Sequence, residues 1–171
     1  NERHIESDPF SSYGPHANGC VANMLDIALL GATEIDLNFN VNVVTHSDGI
    51  LLHGIGGHSD ASSGAGCTII TAPSFRKRIP IIKEEVTTIT CPGELIDVLI
   101  TERGIAINSR RDDLLWSAKK ADLPCVDISQ LMHDVYQITG VPEKPHFTDH
   151  PVALVEWRDG SIIDTVWQMA E

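Results

Sequence analysis

His53-Gly54-Ile55-Gly56-Gly57-His58-Ser59-Asp60-Ala61-Ser62-Ser63-Gly64-Ala65-Gly66 lies between two apolar runs, Ile50-Leu51-Leu52 and Thr68-Ile69-Ile70. Five glycines and a group of small hydroxyl residues follow one another, with no large apolar side chain after Ile55. Glycine admits backbone conformations closed to other residues and lets N–H groups come close to a ligand, at an entropic cost that a mere connector need not carry. This pattern, between two strand-like runs, points to an anion or a developing oxyanion held by backbone donors.

Outward from this loop the chain reads as a succession of short strands with a few helices. Ile35, Leu37, Phe39, Val41 and Val43 alternate with Glu34, Asp36, Asn38, Asn40 and Asn42, which predicts one strand over 34–43 with a buried and a polar face. Asn is poor in strands. The polar face is therefore either a solvated sheet surface or the wall of a polar cavity whose amides bind carboxylates. Ser47-Asp48-Gly49 reads as a turn into Ile50–Leu52, the second arm of a hairpin.

Beyond the loop, strands are expected over Cys67–Ala72, Val86–Thr90, Asp97–Ile100 and Ile105–Ile107, with a short apolar piece at Ile79–Ile82. Helices are expected over Asp112–Ala121 and, capped by Ser129, up to Gly140. Asp159-Gly160 signals a final hairpin. Val21–Leu30 fits either a short helix or a buried strand, and residues 1–19 read as an irregular leading segment. The expected fold class is α/β, a mixed sheet flanked by helices, in a single domain spanning 1–171.

The chain has 171 residues and a net charge of −12, which argues against a general binder of nucleic acid or of membrane surfaces, since both are polyanions. Any anionic substrate must then be met by backbone dipoles and a few local cations. The four cysteines, Cys20, Cys67, Cys91 and Cys125, stand far apart, so free thiols in a reducing cytoplasm are expected rather than a disulfide framework. No apolar run approaches a membrane span and no signal-peptide pattern opens the chain. The eight His are scattered, and no metal site is expected. Asn1 in place of Met suggests a piece of a longer protein.

Three chemistries compete for the glycine loop. Gly57-His58-Ser59-Asp60-Ala61 approaches a G-x-S-x-G nucleophile elbow, with Asp127 and His146 or His150 in hydrolase order, but Ala61 breaks the pattern and too little chain precedes it. A phosphate loop lacks its Lys-Ser/Thr pair. An oxyanion site for acyl transfer needs only backbone donors, each worth about 2.7–4 kcal/mol in known cases. Gly56, Gly57 and His58 are the candidate catalytic residues on this reading.

The same loop carries a resemblance. Gly54-Ile55-Gly56-Gly57-His58-Ser59-Asp60 resembles the G-x-G-G-x-x-D element of coenzyme A transferases. It is followed at fitting distance by Ile79-Pro80, Val86-Thr87-Thr88 and Val98 to Ala106 with its Thr101-Glu102-Arg103-Gly104 turn. Glu34-Ile35-Asp36, Phe39 to Val43, Arg78-Ile79-Pro80, Ile105 to Asn108, Asp159 to Asp164 and Gln168 narrow the resemblance to the citrate lyase alpha-subunit family, over nearly the whole chain. The resemblance implies the C-terminal portion of a longer subunit with a CoA-transferase-like (NagB/RpiA-like) fold.

It further implies a transferase that exchanges acetate for citrate on the thioester of an acyl carrier protein, the gamma subunit. The thiol belongs to a phosphoribosyl-dephospho-CoA arm, and a beta subunit then cleaves the citryl group to oxaloacetate. No tightly bound cofactor is implied, an oligomeric complex is, and the route is a mixed anhydride without a glutamyl-thioester. Coenzyme A transferases carry an oxyanion-hole Asn just before the strand that begins at Glu34; here Leu30-Gly31-Ala32-Thr33 stands there, with no side-chain amide.

The expected roles follow. Gly56 and Gly57 donate backbone N–H groups, and His58 either pairs with a substrate carboxylate or is a neutral histidine of the core. Asn40 and Asn42 orient carboxylates, and Ser59 and Asp60 complete the substrate set or simply fix the loop. Arg76 and Arg78, flanking Lys77, are either solvated or bind phosphates or the acidic carrier. Gly54 and Glu102 are candidate contacts to the CoA-like arm. A competing class is an assembly or docking domain of a lyase complex.

Overall fold

The computed structural model describes residues 2–17 and 19–170. Asn1 and Glu171, the bounds of the expected domain, and Asn18 of the leading segment lie outside the described residues. In chain order the elements are α1 (Pro9–Tyr13), a 3-10 turn (Val21–Met24), β1 (Ile27–Leu30), β2 (Glu34–Asp36), β3 (Val41–Asn42), α2 (His58–Gly64) and β4 (Cys67–Thr71). They continue with β5 (Phe75–Arg76), β6 (Ile79–Pro80), β7 (Ile82–Lys83), a second 3-10 turn (Gly93–Leu95), β8 (Val98–Thr101) and β9 (Gly104–Ile107). Helices α3 (Asp112–Lys120) and α4 (Ile128–Thr139) precede the terminal hairpin of β10 (Phe147–Glu156) and β11 (Ile162–Met169). No helix among the described residues is long and apolar enough to cross a membrane.

The fold is mixed α/β. The main sheet has the order β1-β4-β8-β9, with the first three strands parallel and β9 antiparallel to β8. A smaller sheet, β3-β2-β7, pairs β2 antiparallel to β3 and parallel to β7. One core joins both: Ile35, Val41 and Ile82 of the small sheet meet Ile70 and Leu99 of the large one and Leu131 of α4. The spacing Ile128, Leu131, Met132, Val135 puts these four on one helical face, and all are buried. The helix is capped by Asp127, whose carboxylate accepts from Ser129 N at 2.8 Å, rather than by Ser129; it ends at Gly140, where φ is +81°.

Two of the longer expected strands are absent. The alternating run 34–43 is a hairpin, not one strand. Asp36 Oδ1 accepts from the backbone N of both Asn38 and Asn40 at 2.9 Å, and its carbonyl accepts from Phe39 N, so the chain reverses at Asn38-Phe39. Phe39 takes φ +63° to complete the reversal. Pairing Glu34 with Asn42 and Ile35 with Val41 then buries both faces, and Glu34, Asp36 and Asn42 are all withdrawn from solvent. Segment Val86–Thr90 likewise has no ladder; its backbone donors go instead to a carboxylate oxygen of Glu34, from Thr87, and of Asp164, from Ile89, and to the carbonyl of Val41, from Thr90. Val21–Leu30 resolves into a 3-10 turn followed by β1.

The turn at Ser47-Asp48-Gly49 forms, but Ile50–Leu52 is not a strand and closes back on the preceding residues through a single antiparallel bridge of Leu51 with Thr45. Gly49 turns with φ +90°, and Leu52 N donates to Val44 O at 2.7 Å. The four cysteines are free thiols.

Candidate functional site

The parallel strands fix where a site can form, because loops leaving their carboxyl ends diverge and open a crevice there. At that edge β1 runs into Gly31-Ala32, β4 into Pro73-Ser74-Phe75-Arg76, and β8 into Thr101-Glu102-Arg103. Helix α2 leads back into β4, so its first residue, His58, returns to the same edge. Residues 53–57 have no regular structure; Gly56 takes φ +61° and is exposed, and Gly57, at φ −89°, precedes the helix.

His58 Nε2 lies 2.9 Å from the carbonyl oxygen of Gly31. A carbonyl only accepts, so Nε2 carries the proton and Nδ1 is an acceptor; Nδ1 is buried without a hydrogen-bond partner among the described residues. Burial lowers the His58 pKa, and the bond to Gly31 opposes this only in part. The ring is therefore neutral, and its one N–H is committed to Gly31. This corrects the expected carboxylate pairing: in this arrangement His58 ties the glycine loop to the end of β1. A depressed histidine contributes stability above its ordinary value of 6.5 that is lost as pH falls through the lower folded value. Stability should therefore fall between pH 7 and 5 by more in the native chain than in His58→Gln, measured by chemical denaturation; equal slopes would contradict the neutral buried ring.

Arg76 anchors the neighbouring carbonyl, its Nη2 donating to Ala32 O at 3.0 Å. Two residues singled out from sequence, His58 and Arg76, thus hold the successive carbonyls of Gly31 and Ala32 at the end of β1. The backbone N–H groups of Gly56 and Gly57 have no acceptor among the described residues. Gly56 borders a cleft of about 200 Å³ formed with Ile55, Ser59 and Asp60 on one side and Glu156, Trp157 and Arg158 on the other.

A second groove, about 420 Å³, meets this cleft at Ile55 and Glu156. Its walls are Leu51, Leu52 and Gly54 on the loop side and Leu154 and Val155 on the hairpin.

Several other expected site residues are committed elsewhere. Asn42 is fully buried, its amide donating to Glu34 Oε2 at 2.8 Å and its oxygen accepting from the N of Val44 and Thr45. Asn40 donates to Asp36 Oδ2 and accepts from Gly93 N. Both amides serve the small sheet and neither lines the glycine-loop cleft. Ser59 Oγ donates to Thr90 O at 2.7 Å, and no His bonds to it among the described residues, which removes the hydrolase reading. Asp60 pairs with Arg158 at 2.8 Å.

Glu102 is likewise engaged. It accepts from Ser74 N at 2.9 Å and from the Ser74 hydroxyl, and Arg103 Nε also reaches Ser74 Oγ at 3.1 Å. Burial pushes the Glu102 pKa up, but the bonds from Ser74 outweigh it and hold the carboxyl below its usual range. Glu102 therefore clamps the turn after β4 instead of lining a groove for a ligand arm. Arg78 is exposed on the β5–β6 turn and faces a different cleft, of about 650 Å³, with His46, Lys144 and His146. Cys91 is fully buried beside Ser62 Oγ, and its thiol is pushed up to about 11 by burial, so it is no nucleophile at neutral pH. No three His, Cys, Asp or Glu side chains converge on a metal position among the described residues.

Two residues of the site gave no signal in the sequence. Arg158 sits beside the Asp159-Gly160 turn, and only the folded hairpin carries it to Asp60, 98 residues away. The ring of Tyr13 covers Gly57: a Cβ at that glycine would lie 3.1 Å from Tyr13 Cε2 and Cζ.

The comparisons with known proteins agree with one another. The family profile for citrate lyase, alpha subunit (CitF), matches residues 1–169. The citrate lyase alpha chain of Haemophilus influenzae is 44% identical over 173 residues, covering 100% of this chain and 34% of the relative. That of Klebsiella pneumoniae is 43% identical over 169 residues, covering 99% and 33%. A crystal structure described as an alpha subunit of citrate lyase from Streptococcus mutans, in complex with citrate, superposes with a TM-score of 0.96 at 42% identity, over 100% of this chain and 34% of that one. The chain thus spans about a third of the length of the relatives it matches. With a profile over 169 positions and relatives above 40% identity along its whole length, the chain belongs to the citrate lyase alpha-subunit family.

Proposed function

We propose that the subunit containing this chain exchanges acetate for citrate on a carrier thioester, and that the glycine loop holds the oxyanion of that exchange. The observation that carries the proposal is the pair of N–H groups at Gly56 and Gly57, without an acceptor among the described residues, in a loop that His58 ties to the carboxyl end of β1 and whose Gly56 borders a cleft. The Streptococcus mutans relative, solved with citrate, supports citrate as the acceptor.

The chemistry balances without a general base, since citrate is ionised at pH 7. A citrate carboxylate oxygen attacks the acetyl carbonyl, and the electron pair moves onto the carbonyl oxygen, where the loop N–H groups stabilise it. Collapse expels the thiolate and leaves an acetyl–citryl anhydride. The thiolate then attacks the citryl carbonyl and expels acetate. The apolar groove lined by Leu51, Leu52 and Leu154 suits the flexible arm of a carrier protein, because it runs to the loop at Ile55.

The test is an exchange assay with the full-length subunit, acetylated carrier protein, and a panel of di- and tricarboxylates. Citrate-dependent release of acetate with formation of a citryl thioester is expected; no citrate-dependent release would end the proposal. A second reading, that the chain serves assembly of a lyase complex, is favoured by Ile27 and Leu29, which stand 55% and 66% exposed on the edge strand β1. Glycine-loop variants that keep normal exchange but lose subunit association would select it.

A further inference from the structure

Three segments remote in sequence meet at the glycine loop through one side chain. Arg158 Nε donates to Asp60 Oδ1 at 2.8 Å, and Arg158 Nη2 donates to the carbonyl of Tyr13 at 3.1 Å. The side chains of Arg158 and Asp60 are 18% and 26% exposed, so the pair is largely withdrawn from water. Asp60 lies in the first turn of α2, two residues after His58, and the ring of Tyr13 packs on Gly57. One guanidinium therefore holds both the helix that follows the loop and the residue that covers it.

The element that carries Arg158 has few other holds on the domain. Within β10 and β11 only Val155 and Val166 are buried. Asp164 Oδ2 accepts from Ile89 N at 2.6 Å part-way along, and Phe147 and Met169 lie against Gly49 at the base. At the tip, Arg158 is the polar link. Its fork geometry lets it bind two acceptors on different segments at once, which a lysine's single ammonium does less well.

We propose that Arg158 is a positioning residue for acyl transfer: through Asp60 and the Tyr13 carbonyl it fixes the N–H groups of Gly56 and Gly57 against the reacting carbonyl, and the β10–β11 hairpin is the strap that delivers it. The proposal rests on the transfer reading above. The contribution expected of this pair to the reaction is geometric. Displacement of a catalytic group by about 1 Å costs up to about 100-fold in rate.

The experiment uses the full-length subunit and two readouts. In the exchange assay, Arg158→Ala and Asp60→Asn should each lower kcat roughly tenfold, with KM for citrate within about twofold. The double variant should fall within about threefold of the worse single, because both changes break one link. Arg158→Lys should recover part of the loss and carries the comparison if the alanine variant does not fold. Amide hydrogen exchange over residues 61–65, whose first N–H, that of Ala61, bonds to the Gly57 carbonyl at 2.9 Å, should quicken about tenfold in Arg158→Ala and Asp60→Asn. This second readout needs no turnover, so a subunit without transferase activity would sink the transfer reading and still test the positioning. Unchanged protection over 61–65, multiplied losses in the double variant, or an effect on KM alone would each overturn the proposal.

Discussion

Gly57→Val in the full-length subunit is expected to lower the rate of acetate–citrate exchange by at least about 100-fold, the cost of losing one oxyanion donor. The backbone at Gly57, with φ −89° and ψ 14°, is open to any residue, so strain in the main chain is not the cause. The cause is what a side chain meets. A Cβ there would stand 3.1 Å from two ring atoms of Tyr13, closer than ordinary contact, and the branched valine adds two further methyl groups to that crowding. Either Tyr13 moves, pulling on the Arg158 contact to its carbonyl, or the loop moves away from the cleft. Both displace the Gly56 and Gly57 N–H groups. Thermal unfolding of the variant separates this from a folding defect: a melting temperature near that of the native subunit with exchange lost places the effect in the loop. Near-normal exchange by a folded Gly57→Val subunit would remove the loop from the mechanism. Tyr13→Ala in the same background divides the two routes, since it restores activity only where the ring, and not the valine itself, displaces the donors.

Much of this arrangement is legible in the sequence, and its failures have physical reasons. Helix α4, strands β4, β8 and β9, and the hairpin at Asp159-Gly160 announce themselves through periodicity and turn residues, which are local properties. The run 34–43 misleads because alternation is preserved on both arms of a hairpin, and the reversal depends on the Asp36 carboxylate binding two N–H groups downstream. Val86–Thr90 has the β-branched composition of a strand, but tertiary partners take its backbone donors.

The glycine loop itself is visible because glycine is its own signal. The residues that hold it are not: His58 finds Gly31, Arg76 finds Ala32 and Arg158 finds Asp60 only after the sheet has assembled. Sequence therefore marks where backbone comes close to a ligand more readily than which side chains fix that backbone. Asn40, Asn42 and Glu102 illustrate the converse, since residues rich in hydrogen-bonding capacity were more use to the fold than to a substrate.

The strongest case of that diversion is the buried ion pair beneath the small sheet, and Lys83→Met should destabilise the chain by about 3–5 kcal/mol at pH 7. Lys83 Nζ lies 2.7 Å from Glu34 Oε1, with the two side chains 8% and 0% exposed. Asn42 Nδ2, Thr87 N and Thr87 Oγ1 donate to the same carboxylate at 2.8, 2.7 and 3.1 Å. Burial raises the Glu34 pKa, yet the charge and hydrogen bond of Lys83, with the bonds from Asn42 and Thr87, outweigh it and hold the carboxyl below its ordinary value. In the native chain the pair therefore contributes stability above about pH 4.5, lost as pH falls through the depressed folded value. Without Lys83 the two largest opposing influences vanish while burial remains, so the carboxyl shifts upward. Folding then favours the protonated acid, and Lys83→Met loses stability as pH rises from about 4.5 towards neutrality, the reverse of the native trend. Glu34→Gln combined with Lys83→Met removes the stranded charge and should recover much of the loss at pH 7, because the amide still accepts from Thr87 and Asn42. Urea denaturation of the three forms at pH 5 and pH 7 reads both signs. A Lys83→Met chain within about 1 kcal/mol of native at pH 7 would mean that water reaches Glu34 and that its charge is not left stranded.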